Sequence, residues 1–172
     1  IVDSTVHGIL TLNEATGSVS YVPDLNYNGV DSFTFRVTDD GTTDGSPDPL
    51  TSASASVSIT VNAVNDAPIL NTISAQETSE EDDITVTLTA SDVDIVTNGQ
   101  SLSFSATSSD ESMVMVSTSL TSDDSTATLT LDVQANANGE VTVSVIVSDG
   151  EGETDSQDFV LTITEENEPP TA

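Results

Sequence analysis

Asp92 and Asp94 stand two residues apart in DVD, Asp149 closes an apolar run in VSDG, and Asn65 and Asp66 lie in the proline-ended stretch VNAVNDAP. Asp24 and Asp31 bracket the asparagine-rich stretch LNYNGV. All of these side chains offer oxygen donors. The chain has no cysteine and only one histidine, His7, so a thiolate metal site has no ligand and an imidazole site has at most one. Carboxylates and amides are the donor set of a hard cation, and close carboxylates repel one another unless they are protonated or metal-bound. Ca2+, which takes about six to eight oxygens, suits the set better than Mg2+, which keeps its waters. Any one of these residues serves equally well as a turn former that accepts backbone N–H bonds. Convergence of several on one place separates the two readings.

The elements that must bring them together are strands. Ile84, Val86, Leu88 and Ala90 alternate with Thr and Ser, and Val141, Val143, Val145 and Val147 alternate with mostly polar residues. Phe33, Phe35 and Val37 repeat the pattern around Arg36, as do Val57, Ile59 and Val61. A period of two is the mark of a strand with one face toward a core. Turn clusters such as DDGTTDGSPDP and SDGEGETD separate the strands. Met113 and Met115 share one phase and read as core. The expected fold is all-β: two seven-stranded Greek-key sandwiches in tandem, the first lacking its N-terminal strands.

An internal repeat sets the division. YVPDLNYNGVDSFTFRVTDDG matches LDVQANANGEVTVSVIVSDG, placing Asn26, Asn28, Gly29 and Asp39 on Asn136, Asn138, Gly139 and Asp149. Each copy runs through an apolar strand into an acidic, proline-ended stretch. The expected organisation is a partial domain at 1–64, a linker at 65–68, a complete domain at 69–164 and the start of another linker at 165–172. The partial domain's core needs something to supply its missing edge. With seven antiparallel strands A to G, strands B and F finish beside the incoming linker. Asp92 and Asp94 follow strand B and Asp149 follows strand F, so all three meet Asn65 and Asp66. Asp24 and Asp31 are expected at the end of the first module that faces the same linker.

These residues carry a resemblance. NDAP, DVD and VSDG resemble the linker, DxD and single-Asp calcium motifs of cadherin domains, and HGILTLNEATGSVSYVPDLNYNGVDSFTFRVTDDG is similar to cadherin-like or Ig-like tandem repeats of large bacterial (RTX-type) adhesins. The resemblance covers nearly the whole chain. It implies Ca2+ held by Asp24, Asn65, Asp66, Asp92, Asp94 and Asp149. It also implies a second site from Glu80 or Glu81 with Asp132, Glu166, Asn167 and Glu168. There Gln134 and Val141 stand where the first site has Asp24 and Asp31, so the second is expected to be the weaker.

The chain of 172 residues carries 30 acidic side chains against one basic one, a formal net charge of −29. That balance excludes nucleic-acid binding and attraction to an anionic membrane surface. No apolar run is long enough to insert into a bilayer. His7 has no nucleophile motif nearby, and paired carboxylates are unavoidable among so many acids. The expected function is a non-catalytic, calcium-rigidified extender of a secreted or surface adhesin, extracellular, with neighbouring repeats of its own chain as partners. The alternative is a calcium-dependent module that itself binds polysaccharide or a cell-surface protein.

Overall fold

The alternating segments are strands in the computed structural model, which describes residues 1–80, 82–121 and 125–167. They fall into two units, Ile1–Val64 and Asn65–Ala172, each with its own sheets.

In the first unit, β1 (Gly8–Asn13) and β2 (Ser18–Pro23) form an antiparallel hairpin. Its turn is held by the Asn13 side chain, which accepts from the Ala15 and Thr16 amides. β3 (Gly29–Phe35) pairs antiparallel with β6 (Ala55–Val61), with Phe33 opposite Val57. Between them β4 (Thr42–Thr43) and β5 (Ser46–Pro47) make a small hairpin within the acidic turn cluster. Asp3 bridges to Thr34 along the other edge of β3. Phe33 is the unit's one buried large apolar residue among those described.

The second unit is a sandwich of two four-stranded sheets. One has the order β7 (Ile69–Leu70), β9 (Ile84–Ser91), β12 (Thr126–Val133), β11 (Val114–Leu120). The other runs β8 (Gln76–Ser79), β14 (Thr154–Thr164), β13 (Gly139–Ser148), β10 (Ser103–Ser108). β8 lies parallel to β14 and the remaining pairs are antiparallel. The opening strand is thus split between the sheets. Asp155 and Gln157 of β14 pin it, accepting from the Leu70 and Ile73 amides.

The core follows the sequence phase. Val141, Val143, Val145 and Val147 of β13 are buried against Leu129 and Leu131 of β12 and Leu88 and Ala90 of β9, in one continuous cluster. Each of these valines and leucines contributes about 1.5–3 kcal/mol by leaving water. The methionine reading is corrected at one position. Met113 packs against the core, but Met115 is exposed, because Val114 and Val116 take the inward phase of β11.

The sequence repeat is also a structural one. Asn26 and Asn136 both adopt left-handed backbone, at φ 58° and 60°, and Gly29 and Gly139 follow at φ 130° and 117°. In each turn the next amide closes on a carbonyl three residues back, Tyr27 on Asp24 and Ala137 on Gln134. Asparagine tolerates this region better than other side chains do, and glycine enters it freely.

Candidate metal centre

One end of the second unit collects Asn65, Asp66, Asp92, Asp94 and Asp149. β9 delivers Asp92 just past Ser91. The chain then turns into α1 (Asp94–Asn98), a single turn rather than an extension of the strand. Gly99, left-handed at φ 72°, ends that turn with its amide on the Asp94 carbonyl. Asp94 is buried: Oδ2 accepts from the Asp66 amide at 2.8 Å, and Oδ1 accepts from the Thr97 hydroxyl and the Asn98 amide group at 3.1 and 2.6 Å. Asp92 Oδ1 accepts from the Asp94 amide at 2.8 Å.

β13 delivers Asp149, also buried. Its Oδ1 accepts from the amides of Glu151, Gly152 and Glu153, and its Oδ2 accepts from Asn65 Nδ2 at 2.7 Å. The Asn65 bond is the largest cause holding this carboxyl below its usual range, with the three amides adding to it and desolvation opposing. Asn65 Oδ1 in turn accepts from Gln100 Nε2 at 2.5 Å. Sequence reasoning missed Gln100. It is uncharged and outside the acidic motifs, and its only signal is its place six residues after Asp94 in DIVTNGQ.

Among the described residues, no hydrogen-bond donor reaches two buried oxygens in this region, Asp92 Oδ2 and Gln100 Oε1. An unpaired buried acceptor costs about 1–3 kcal/mol, and more when charged. A cation at Asp92 Oδ2 would remove that cost, and the surrounding all-oxygen donor set is of the kind Ca2+ takes. The fit has a condition. Among the described residues no group of three or more His, Cys, Asp or Glu side chains is gathered at metal-holding distance. Amide donors from Asn65 and Asp66 occupy the positions on Asp149 and Asp94 that a cation would take.

The acids of the first unit are differently placed. Asp31 is buried in β3, with Oδ1 accepting from the Val6 and Ser32 amides and Oδ2 from the His7 amide and the Tyr21 hydroxyl. Desolvation pushes its pKa up, but the three amides and the Tyr21 hydroxyl outweigh that and bring it down to about 2. The Tyr21 hydroxyl is pushed up to about 12, by desolvation and then by its bond to Asp31. A carboxylate with four protein donors has its acceptor positions filled. Asp31 anchors the segment before β1 and offers no free position to a metal. Asp24 is exposed in the turn after β2.

At the other end of the second unit, Glu80 is buried and Oε1 accepts from the Glu166 amide at 2.8 Å. A polar pocket there is lined by Glu80, Asn136, Asn138, Glu165, Glu166 and Asn167. Asp132 is not among its lining residues. It sits on the exposed phase of β12, accepting from Gln134 Nε2. Asn136 and Asn138 were legible as repeat positions but not as pocket residues. Glu81 and Glu168 lie outside the described residues.

The model of the bacterial Ig domain family matches residues 1–62 and 65–162. No curated protein matches. Among solved structures, the protocadherin gamma B2 extracellular cadherin domains 1–5 are 15% identical at TM-score 0.55, over 92% of this chain and 30% of theirs. Domains 1–6 of the surface layer protein SbsC are 16% identical at TM-score 0.50, over 92% of this chain and 19% of theirs. An endo-fucoidan hydrolase, MfFcnA4 from glycoside hydrolase family 107, is 18% identical over 96% of this chain at TM-score 0.43, too low to carry an argument. This chain spans 24% of that hydrolase's length. At these identities the cadherin and surface-layer likenesses are likenesses of fold.

Proposed function

The chain belongs to the bacterial Ig domain family, and from that premise we propose that it is a structural, non-catalytic module of a bacterial surface or secreted adhesin, stiffened by Ca2+ where the second unit begins. The observation that carries the reading is the orphaned, buried oxygen of Asp92, on a residue bonded to the Asp94 amide at the end of the unit where Asp66 meets Asp94 and Asn65 meets Asp149. Asp92 would hold the ion by its unpaired oxygen, and Asp94, Asp149 and the Asn65 side-chain oxygen would join it once the Asp66 and Asn65 amide donors turn away from those two carboxylates. Asp31, whose acceptors are filled, is left out of the set. Bound there, Ca2+ supplies positive charge that cancels carboxylate repulsion and ties together groups from separate segments. The chain's own part is to fix the backbone at Asn65–Asp66 against the ends of β9 and β13, which takes freedom out of the entry to the sandwich.

The net charge of −29 supports the same reading, since a polyanion concentrates cations and gains most from binding one at its most crowded point. Extracellular modules typically bind Ca2+ at about 10⁻⁴ to 10⁻³ M, so the site would fill outside the cell and stay empty in cytosol. The protocadherin and surface-layer proteins are proteins of the cell exterior, in line with an extracellular place for this module.

Isothermal titration of Ca2+ into chelator-treated protein tests the reading, with Asp92→Asn/Asp94→Asn as the comparison. The expected result is saturable binding that the double substitution weakens by at least about tenfold. Weak, unsaturable uptake that the substitution leaves unchanged would reduce these acids to turn caps and solubility charge.

A further inference from the structure

An asparagine followed by glycine is the place where a chain most readily attacks itself, because glycine sets no side chain in front of its own peptide nitrogen. The sequence holds three such pairs, Asn28–Gly29, Asn98–Gly99 and Asn138–Gly139, and the fold holds them differently. Asn98 ends α1 with its side-chain amide on the Asp94 carboxylate at 2.6 Å, and the Gly99 amide is bonded to the Asp94 carbonyl. Asn28 and Gly29 are half-buried, and a β-carbon on Gly29 would stand 3.2 Å from the Tyr27 hydroxyl. The Tyr27 ring is fixed in turn, stacked on His7 with its hydroxyl donating to the Val30 carbonyl. Asn138 and Gly139 are both exposed. The Asn138 amide makes a long bond of 3.4 Å to the Asn136 carbonyl, and a β-carbon on Gly139 would meet the mobile end of Met113 at 3.8 Å. Gly29 and Gly139 each open a strand, opposite Val61 and Ile163, so restraint by the ladder is common to these two pairs.

We propose that Asn138–Gly139 is a self-modification site, where the folded chain turns an amide of the polar pocket into a carboxylate faster than at Asn28 or Asn98. The Gly139 nitrogen, its proton lost to base, attacks Asn138 Cγ and forms a C–N bond. The side-chain nitrogen leaves as ammonia, taking its proton from water. Water then opens the cyclic imide at either carbonyl, which restores the N–H of Gly139 and leaves aspartate or isoaspartate. The net change is one water consumed and one ammonia released, with no oxidant or reductant. The pocket gives the product its effect. Asn138 lines it with Glu80, Glu165 and Glu166, and the buried Glu80 holds the Glu166 amide through Oε1. A further carboxylate there is repelled by those already present. The isoaspartyl form also lengthens the main chain by a carbon, just after the left-handed turn at Asn136. Both effects loosen the hold of Glu80 on Glu166. At Asn98 the same conversion would set a new carboxylate against Asp94, and there the helical turn restrains it. The site is independent of any cation.

The test is incubation of the folded chain in mildly alkaline buffer, followed by peptide mapping with mass spectrometry. The mapping counts conversion at each asparagine and separates aspartyl from isoaspartyl peptides. The same incubation in urea is the reference. The expected result is that Asn138 converts at least about tenfold faster than Asn28 and Asn98 in the folded chain, as local restraint on the other two requires, and that the three rates draw together in urea. Equal rates in the folded chain, or a lead by either other pair, would overturn the proposal. So would an unchanged lead of Asn138 in urea, which would put the cause in the flanking residues and not in the fold. The effect of the product is read on Asn138→Asp, with the uncharged Asn138→Ser as its control. The Glu166 amide should exchange at least about threefold faster in the first than in the second, and equal exchange would overturn the loosening.

Discussion

The two units share one turn, one strand order and one inward phase, yet only the second has a core. In β13 the residues at 141, 143, 145 and 147 are all buried valines, sandwiched between the two sheets. Their counterparts in the first unit are Asp31, Phe33, Phe35 and Val37, of which Asp31 and Phe33 are buried. The difference teaches that strand pattern supplies the apolar face but not its cover. A face contributes hydrophobic free energy only when another layer removes it from water. The first unit answers in part with polar structure. The Asp31 carboxylate gathers the segment before β1 through four hydrogen bonds, Tyr21 reaches the His7 carbonyl, and the His7 and Tyr27 rings stack at 4.2 Å.

The largest expected break in the comparison comes from one substitution made at equivalent sites. Val147→Ala should destabilise the second unit by about 2 kcal/mol or more, from lost burial plus a cavity. Val37→Ala should cost the first unit less than about 0.5 kcal/mol, as exposed positions do. Urea unfolding followed by residue-resolved exchange reads both, and equal losses would mean that the first unit's apolar face is already covered in solution.

The shared turn sharpens the comparison from the other side. Asn26→Ala and Asn136→Ala should each cost about 1 kcal/mol, because both place a β-carbon in left-handed backbone without an amide to compensate. The same assay applies, and a marked difference between them would show that the turns are not equivalent. Changing the same positions to Gly should be close to neutral.

Acid should separate the units by a smaller effect. The Asp31 pKa is lowered to about 2 in the folded unit, so its stabilising contribution is complete above the ordinary carboxylate range near 4. That contribution fades as pH falls from there toward about 2. The first unit's opening residues, Val6 to Gly8, should loosen in that window, seen as faster exchange of the Val6 and His7 amides. Asp31→Asn should remove most of the dependence. Val141, the counterpart in β13, does not titrate. The second unit's own acid response should instead arise where Asp149 is held low by Asn65.

Much of this protein was legible as a string because strands declare themselves locally. The inward valines of β13, the phase of β9 and the Asn-turn repeat all followed from side-chain alternation, which the pleat imposes without reference to distant residues. Met115 misled because either phase of MVMV is apolar, and the choice belonged to the facing sheet. At the candidate site, strand phase pointed Asp92 and Asp149 toward Asn65 and Asp66. Gln100 was invisible, and so was the helical turn that begins at Asp94, because both depend on how the chain closes the gap between β9 and β10.

By itself, then, the sequence determined the all-β fold, the repeat, the strong negative charge and the oxygen-only chemistry open to the molecule. Those properties are set by composition and by periods of a few residues. Tertiary structure alone decided which oxygens are filled and which are left over. It saturated Asp31 with four donors and left one oxygen of Asp92 buried without any. It also decided that one apolar face is covered and the other is open. The physical reason is that hydrogen-bond satisfaction and burial are properties of neighbours in space, and those neighbours come from segments far apart in the chain.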